Sequence, residues 1–491
     1  MTLSDPDCPA ASRATDVTRT LVNGLALLGS NVVTSGAQYV IVVIVARALG
    51  PETFGAYLLA FTFAAFFATL CNFGLDRVLI RDIVRQPAAA SASLLAAAGV
   101  RLLLGALSGA VAVVAAWGLG YSPSLRLVIA LLLLAQILGL FSELCRSVLF
   151  AFGAMPREAV LRAAGRCVSV AAVAAALVMQ WSLAGVAAAL AIGGLVELLL
   201  YATAMARRLA LRPTPVDWDV ARGLVRSAWP IALNTVLVVL YLRINVVMLT
   251  SWTGAEAAGV FGAAFTFVQV LQVVSGTLAG VLLPTLTARK LQGQDQVLAA
   301  VRSATYYVLL FVLPATVGMS LLSGELVAFV YGAQYAGAAS ALSVLAWANP
   351  FMFLGSLYGT LLIVLDAERT LIPVSAAALA VSGAANYLFV PSFGPAGAAW
   401  ASVLTELAVA MSVFWGARHR LGRIGVAAIL VRPVLVAGAV GAVLQATETA
   451  NGPWRVLAAV AVFALGVLAA EVVFADAAAV RLLAWRRGAQ R

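Results

Sequence analysis

The sequence predicts an all-α membrane protein with about fourteen transmembrane helices: two pseudo-symmetric six-helix bundles followed by two further helices. The first observation is composition, since 63% of the residues are hydrophobic, 10% are charged and the mean hydropathy is +1.03. A soluble protein of 491 residues could not bury so much apolar surface, so its solvent is a bilayer. The second observation is a series of long apolar segments, and the third is an internal repeat.

Each apolar segment is close to the roughly 20 residues that cross about 30 Å of hydrocarbon. The fourteen segments are 23–46, 56–74, 92–117, 126–148, 162–180, 183–205, 228–250, 258–284, 304–322, 338–364, 371–390, 396–415, 427–445 and 454–475. With a cytoplasmic N-terminus, 26 of the 31 basic residues fall in cytoplasmic segments and three in outer ones. One helix more or fewer would invert the side of every later segment. We therefore predict a multi-pass protein of the inner membrane with both termini cytoplasmic.

The repeat relates residues 50–63 to residues 254–267, which share seven of fourteen positions, including both glycines, the glutamate and an Ala-Phe-Thr-Phe run. A second echo relates 184–189 to 396–401. Because six spans is an even number, both copies start on the same side, so the repeat is parallel. Duplicated halves of this kind are how many secondary transporters build two gates around one site.

The repeat and the linker composition divide the chain into five parts. They are a cytoplasmic tail at 1–20, an N-terminal six-helix bundle at 21–206, a cytoplasmic linker at 207–226, a C-terminal six-helix bundle at 227–416, and a loop, two helices and a tail at 417–491. The linker carries arginines and two prolines, whereas its flanks are apolar.

Several function classes are poorly supported. Four cysteines without pairing or metal spacing and a single His419 predict no metal site and no histidine catalysis. No Walker-type motif occurs, so we expect no cofactor and a driving force from an H⁺ or Na⁺ gradient or from substrate removal outside. The positive-inside rule accounts for the net charge of +11 without a nucleic-acid partner. A membrane glycosyltransferase would need paired acids in a sizeable loop, which is absent, so we expect no enzyme.

Four stretches carry a family resemblance: 47–57, 72–82, 330–339 and 386–399. With them the chain resembles the multidrug/oligosaccharidyl-lipid/polysaccharide (MOP) exporter superfamily, and within it the Wzx-type polysaccharide flippases. The resemblance covers about residues 20–420 in the right order. It implies a V-shaped pair of six-helix bundles that translocates a polyprenyl-diphosphate-linked glycan by alternating access. It also implies membrane lipids, a polysaccharide polymerase and glycosyltransferases as partners.

One departure from the family concerns the seventh span. Relatives often carry an acidic residue in a pattern like aromatic-x-Arg-x-Asp, where this chain has Tyr241, Arg243 and Asn245. Ion coupling must then use another residue or differ in kind. Two alternatives within the superfamily remain, a cation-coupled multidrug antiporter and a lipid II flippase. The first would more often stop at twelve spans, and the second would carry an arginine cluster in span 1.

Charged residues inside the spans are the main site candidates, because a charge in hydrocarbon costs roughly 2.5–3.5 kcal/mol and faces a cavity or a partner. We predict that Arg101 and Arg243, with Asn245, line the cavity and that the arginines bind the substrate diphosphate. Glu197 and Glu406 are predicted to exchange H⁺ or Na⁺. The alternative is that these arginines and glutamates neutralise each other across packed helices.

Two further candidates lie at the ends of spans or at a proline. Arg81 is one of three arginines spaced four residues apart after span 2, and it matches the family pattern as a contact for a substrate headgroup. Topology determination alone would also explain it. Asn349 and Pro350 in the tenth span are predicted to form a hinge, with a static kink as the alternative.

Overall fold

The computed structural model describes residues 9–86, 90–206, 218–422, 424–447, 458 and 460–466, with the backbone alone at 9–33, 77, 230 and 428. The described residues are 92% helical and contain no strand. The helices are α1 Pro9–Asn72, α2 Leu75–Arg85, α3 Ala90–Gly118, α4 Pro123–Ala151, α5 Met155–Val178, α6 Leu183–Ala206, α7 Trp218–Thr253, α8 Ala255–Lys290, α9 Gln294–Leu321, α10 Ser323–Tyr331, α11 Ala338–Leu345, α12 Ala348–Val364, α13 Leu371–Leu421 and α14 Val426–Ala446.

Within the described residues, ten helices are long and apolar enough to cross a membrane. Two of these are interrupted, α1 at Gly50 and α13 at Gly394, so each accounts for two predicted spans. α11 and α12 form one further candidate with a bend of 40°, which corresponds to the span predicted at 338–364. The span predicted at 454–475 lies mostly outside the described residues. The predicted fold class, an all-α multi-pass membrane protein, is confirmed.

Both copies of the repeated turn break the helix at a glycine. Gly50 has φ 77° and interrupts α1, whereas Gly254 has φ 92° and separates α7 from α8. A residue with a Cβ rarely adopts this region of φ, which glycine enters at little cost. The two turns therefore share a positive φ at glycines 204 residues apart, as the repeat predicts.

The helices that follow these turns touch through a reciprocal pair of glycines. A Cβ placed on Gly55 would overlap the carbonyl oxygen of Ala255, and a Cβ placed on Gly259 would overlap the carbonyl oxygen of Pro51. Pro51 and Gly55 hold the same positions in the first copy as Ala255 and Gly259 hold in the second. Backbone meets backbone here, so only residues without a side chain permit this crossing.

Alanine at either glycine is therefore expected to destabilise the protein. We expect Gly55→Ala and Gly259→Ala each to lower the free energy of unfolding by about 1–3 kcal/mol, because the backbones must separate. The double variant should cost less than the sum, since one displacement relieves both overlaps. Thermal unfolding of the purified protein measures this. Gly109→Ala in α3 is the control, because nothing lies within 4 Å of its Cβ; a loss equal to that of the control would contradict the prediction.

The chain separates into two compact units, residues 1–259 and 260–491. α7 thus lies with the first unit, where its start packs on α2. The shared apolar cluster includes Leu75, Val78, Leu79 and Ile83 of α2 and Ala221, Leu224 and Ala228 of α7. The linker predicted at 207–226 falls largely on residues outside the described part, and the predicted division of the bundles there stays a prediction.

In the second unit, two polar side chains donate hydrogen bonds to carbonyl oxygens at the ends of neighbouring helices. Lys290 Nζ donates to the carbonyl oxygen of Val364 at 2.7 Å and lies 2.5 Å from Asp366 Oδ2. Gln294 Nε2 donates to the carbonyl oxygen of Arg420 at 2.9 Å. The last carbonyls of a helix lack partners within it, so these side chains satisfy groups that would otherwise need water. They join the α8–α9 turn to the ends of α12 and α13.

Candidate functional site

Arg243 lies in the membrane-spanning part of α7, beside three aromatic rings on α1. We call these rings, Phe54, Tyr57 and Phe61, the aromatic row. The Cζ of Arg243 lies over the Phe61 ring, 5.4 Å from the ring centroid. Tyr57 is 1% exposed and lies between Phe54 and Phe61, with ring centroids 6.1 and 6.0 Å away. Within the described part of the chain, Arg243 makes no ion pair and no hydrogen bond. A guanidinium held by an aromatic face keeps its N–H donors for an anion.

The repeat provides no second cation to match Arg243. At the same offset of 204 residues, the aromatic pair beside it corresponds to Phe261 and Phe265, whose stacked rings are 5.7 Å apart. Arg243 itself corresponds to Tyr39. Both copies therefore keep an aromatic pair, whereas only one adds a positive charge.

Asn245 is not on the same face of α7 as Arg243. Two residues along an α-helix turn by about 200°, so the two side chains point to opposite sides. Asn245 is buried, at 3% exposed. The structure thus separates two residues that the sequence grouped as cavity-lining, and a substrate contact at Asn245 stays a prediction.

Arg101 is fully enclosed between α1, α2, α3 and α4. Its guanidinium donates to Asn72 Oδ1 at 2.9 Å, to Asp76 Oδ1 at 3.2 Å and to the carbonyl oxygen of Leu140. Cys71 Sγ in turn donates to the Arg101 carbonyl oxygen at 3.4 Å. Protein groups thus surround Arg101, although its acidic partner is Asp76 and not one of the glutamates with which the sequence alternative paired it. A diphosphate contact at Arg101 stays a prediction.

The partner carboxylate of Arg101 lies at the start of α2. Burial raises the pKa of Asp76, and the neighbouring Arg101 guanidinium opposes that rise. Because Asp76 lies in the first turn of α2 and Arg101 lies in α3, the pair holds the start of α2 against α3.

Arg81 lies on the exposed side of α2. Its Nε is 2.9 Å from Asp82 Oδ1, and about half of its side chain is accessible. The described residues give its other two guanidinium nitrogens no hydrogen-bond partner, so an external anion could bind them. A headgroup contact at Arg81 stays a prediction.

Glu197 packs closely against α5. A Cβ on Gly165 would lie within 3 Å of the Glu197 side chain, and Arg166 Nε is 4.0 Å from Glu197 Oε2. One turn further, Tyr201 Oη donates to Glu158 Oε1 at 3.4 Å. Glu197 thus has a cationic partner, Arg166, which is neither of the arginines that the sequence alternative paired it with, and its predicted ion exchange is untested.

Glu158 was not recognised from the sequence, although it is completely buried in α5. Its second oxygen has no hydrogen-bond partner among the described residues. Two spacings signal it in retrospect. Glu158, Arg162 and Arg166 recur every four residues on α5, and Glu197 and Tyr201 are four apart on α6. Two polar stripes of the same period on neighbouring helices predict facing partners.

Glu406 has a different environment from Glu197. It lies in the second half of α13 and is 8% exposed. Among the described residues it has neither an ion pair nor a hydrogen bond. Holding a carboxylate unpaired in such a place is costly, so Glu406 remains a candidate for ion coupling. No group of three or more His, Cys, Asp or Glu in the described ranges is arranged to hold a metal ion.

The predicted hinge lies just after the bend between α11 and α12. The bend of 40° spans Ala346 and Trp347, and Pro350 occupies the first turn of α12, where a missing N–H is tolerated. Asn349 is fully buried and donates through Nδ2 to the Ala346 carbonyl oxygen at 2.9 Å. The side chain thus ties the bend to the helix that follows, and movement at this point stays a prediction.

A sequence family described as polysaccharide biosynthesis protein matches residues 20–289, which is more than half of the chain. The chain belongs to the polysaccharide biosynthesis protein family. No curated protein matches this sequence. The match covers every residue of the aromatic row and Arg243, together with Arg101, Arg81 and Glu197.

Solved structures show the fold of this polysaccharide biosynthesis protein. The lipid II flippase MurJ, in an inward closed conformation, aligns with a TM-score of 0.75 at 13% identity, over 93% of this chain and 99% of that chain. An inward-facing multidrug resistance MATE family transporter of the MOP superfamily aligns with a TM-score of 0.65 at 15% identity, over 80% and 95%. A MOP superfamily transporter from Pyrococcus furiosus gives 0.60 at 18% identity, over 82% and 96%.

These structural alignments show the fold alone. The family match adds a connection to polysaccharide biosynthesis. The predicted resemblance to a polysaccharide family is confirmed by the family match, and the fold is the one seen in solved MOP superfamily transporters. The chain is therefore a multi-pass membrane protein of the polysaccharide biosynthesis protein family.

Proposed function

We propose that the protein is a flippase that moves a polyprenyl-diphosphate-linked oligosaccharide across the inner membrane for cell-surface polysaccharide synthesis. The observation that carries this proposal is the family match over residues 20–289. The fold is consistent with it, since one solved structure of the same fold is a lipid II flippase. Alternating access around a single site accounts for transport without nucleotide hydrolysis.

The substrate feature most costly to move through a bilayer is its charged diphosphate, and Arg243 is the residue best placed to receive it. Its guanidinium is half-buried and rests on Phe61 without an ion pair in the described residues. Arginine binds phosphate oxygens through two parallel N–H bonds, which are stronger away from bulk water. The aromatic row beside it offers an apolar wall for the lipid-proximal part of the substrate.

Net transport needs a driving force. We assign it to an H⁺ or Na⁺ gradient acting at Glu406 and to removal of the product on the outer side by a polysaccharide polymerase. Glycosyltransferases on the cytoplasmic side would supply the substrate. In this proposal both termini lie on the cytoplasmic side, where the distribution of arginines predicts them.

The test of the function is a lipid extract from a strain that lacks the gene, analysed by mass spectrometry. We expect polyprenyl-diphosphate glycans to accumulate, and expression of the wild-type chain to reverse the accumulation. Accumulation of lipid II instead would identify a lipid II flippase. Absence of any accumulated glycolipid, with new sensitivity to cationic drugs, would identify a multidrug antiporter.

Replacing Glu406 by glutamine is expected to uncouple transport from the ion gradient. Glutamine keeps the shape of the side chain but can neither titrate nor bind a cation by charge, so transport in proteoliposomes should fall to the rate without a gradient. Stability should be unchanged or higher, because the variant removes a potential buried charge. Glu52→Gln, at an exposed position of the first repeated turn, is the control. Retention of full gradient dependence by Glu406→Gln would exclude this residue as the coupling site.

A further inference from the structure

α2 and the start of α7 form an amphipathic pair at one end of the first unit. Their apolar faces are buried against each other and against α3 and α4. The buried residues include Leu75, Val78, Leu79 and Ile83 on α2, and Ala221, Leu224 and Ala228 on α7. α2 has only 11 residues and is excluded from the spans by its length. A short amphipathic helix at the end of a span lies where headgroups and water meet.

The outer faces of this pair carry arginine and tryptophan. The exposed residues are Arg81 and Arg85 on α2 and Trp218, Arg222, Arg226 and Trp229 on α7. Their spacings of three or four residues place each set on one side of its helix. We call these six residues the basic face.

The basic face keeps a positive charge after its own acidic neighbours are counted. Arg81 lies 2.9 Å from Asp82, and Arg222 lies 3.4 Å from Asp219, whose side chain is 93% exposed. Exposed pairs of this kind are screened and hold their partners weakly. Arg85 and Arg226 make no ion pair within the described ranges. Four guanidinium groups thus face two carboxylates.

We propose that the basic face binds anionic phospholipid headgroups of the membrane leaflet on the predicted cytoplasmic side. The charge of the arginines complements lipid phosphate, which arginine binds with two N–H groups at once. Tryptophan at both ends of the α7 stripe fits the headgroup level, where its ring is apolar and its N–H is polar. This site is separate from Arg243 and does not depend on which substrate is transported.

Bound headgroups would also hold α2 in position after the span that precedes it. α2 begins at the buried Arg101–Asp76 pair and is covered on its apolar side by α7. A lipid that bridges arginines of both helices would therefore add a contact on the exposed side of α2 to the Arg101–Asp76 contact on its inner side. We expect anionic lipid, but not neutral lipid, to raise the thermal stability of the protein.

The test is native mass spectrometry of the purified full-length protein with phosphatidylglycerol or phosphatidylcholine added in detergent. The variant carries Arg81→Gln, Arg85→Gln, Arg222→Gln and Arg226→Gln. Each arginine near an anionic surface contributes about fivefold in affinity, so we expect phosphatidylglycerol to bind at least about tenfold more weakly. The matched control carries Arg289→Gln, Arg369→Gln, Arg418→Gln and Arg420→Gln, four exposed arginines of the second unit, and should change by less than about twofold.

Equal losses in the two quadruple variants would overturn the proposal, because they would indicate general charge attraction. Unchanged binding in the first variant would also overturn it, as would displacement of the lipid by an equal concentration of inorganic diphosphate. If the quadruple variant fails to fold, the two pairs on α2 and α7 are tested separately, and each should weaken phosphatidylglycerol binding. Transport is not the readout, so the outcome is independent of the proposed flippase function.

Discussion

Arg243→Gln is expected to lower the rate of glycolipid translocation by about 100-fold. Loss of one charged partner from a partly buried ion pair costs roughly 2–5 kcal/mol, and each 1.4 kcal/mol is a factor of ten. The effect should be large because the described residues offer the diphosphate no other unpaired guanidinium beside the aromatic row. Transport of a fluorescent polyprenyl-diphosphate glycan in proteoliposomes measures it, and accumulation of the natural glycolipid in the complemented deletion strain checks it in cells.

Two variants test whether charge at this position, rather than packing, is responsible. Arg243→Lys keeps the charge but loses the two-pronged geometry, so it should retain an intermediate rate. Arg126→Gln is the matched control, since Arg126 also lies over an aromatic ring, Trp117, at 4.3 Å, but in the first turn of α4. Wild-type transport by Arg243→Gln would remove the diphosphate site while leaving the family and fold intact.

Arg101→Gln is expected to destabilise the fold by about 3–5 kcal/mol. The substitution leaves Asp76 partly buried without its cation and leaves the carbonyl oxygen of Leu140 without its donor. The double variant Arg101→Gln with Asp76→Asn should recover part of the loss, because it removes the unpaired charge. Chemical unfolding of the purified protein measures both. Arg81→Gln, at an exposed ion pair, should stay within about 0.5 kcal/mol of wild type.

The same variant also separates the two interpretations of Arg101. A purified Arg101→Gln protein of normal stability that no longer transports would restore the substrate-binding role predicted from the sequence. A protein that unfolds at lower denaturant concentration, and that transports normally once folded, would establish a purely structural role.

Most of the fold could be predicted because hydrocarbon thickness fixes the length of a span, and the arginine distribution fixes its direction. The repeat even located two backbone breaks, Gly50 and Gly254, since both copies needed the same left-handed turn. The proline in the span at 338–364 predicted a hinge or a static kink at Asn349 and Pro350. The bend instead lies just before them, at Ala346 and Trp347, because a continuous apolar run does not show the residue at which a helix changes direction. α2 was also missed as a separate helix, since its period was interpreted as a charge pattern at the end of a span.

The candidate site was less predictable than the fold. An arginine in a span has the same sequence signature whether it binds substrate or protein, and the partners decide. Arg101 and Leu140 are 39 residues apart, and Arg243 and Phe61 are 182 apart, so only the packing of helices brings them together. The stripe that contains Glu158 was visible in the sequence, but its importance depends on α6 facing it.

The join between Lys290 and Asp366 has a practical consequence for chemistry on this protein. Lys290 is the only lysine in 491 residues, so amine-directed reagents meet a single side chain of their kind. That amine is engaged by the Val364 carbonyl oxygen and the Asp366 carboxylate, and an engaged ammonium group reacts slowly. Its labelling rate therefore reports how often the α8–α9 turn separates from the end of α12. Lys290 can thus serve as a natural kinetic probe at a single position. It needs no engineered cysteine and no mutation of the transport machinery.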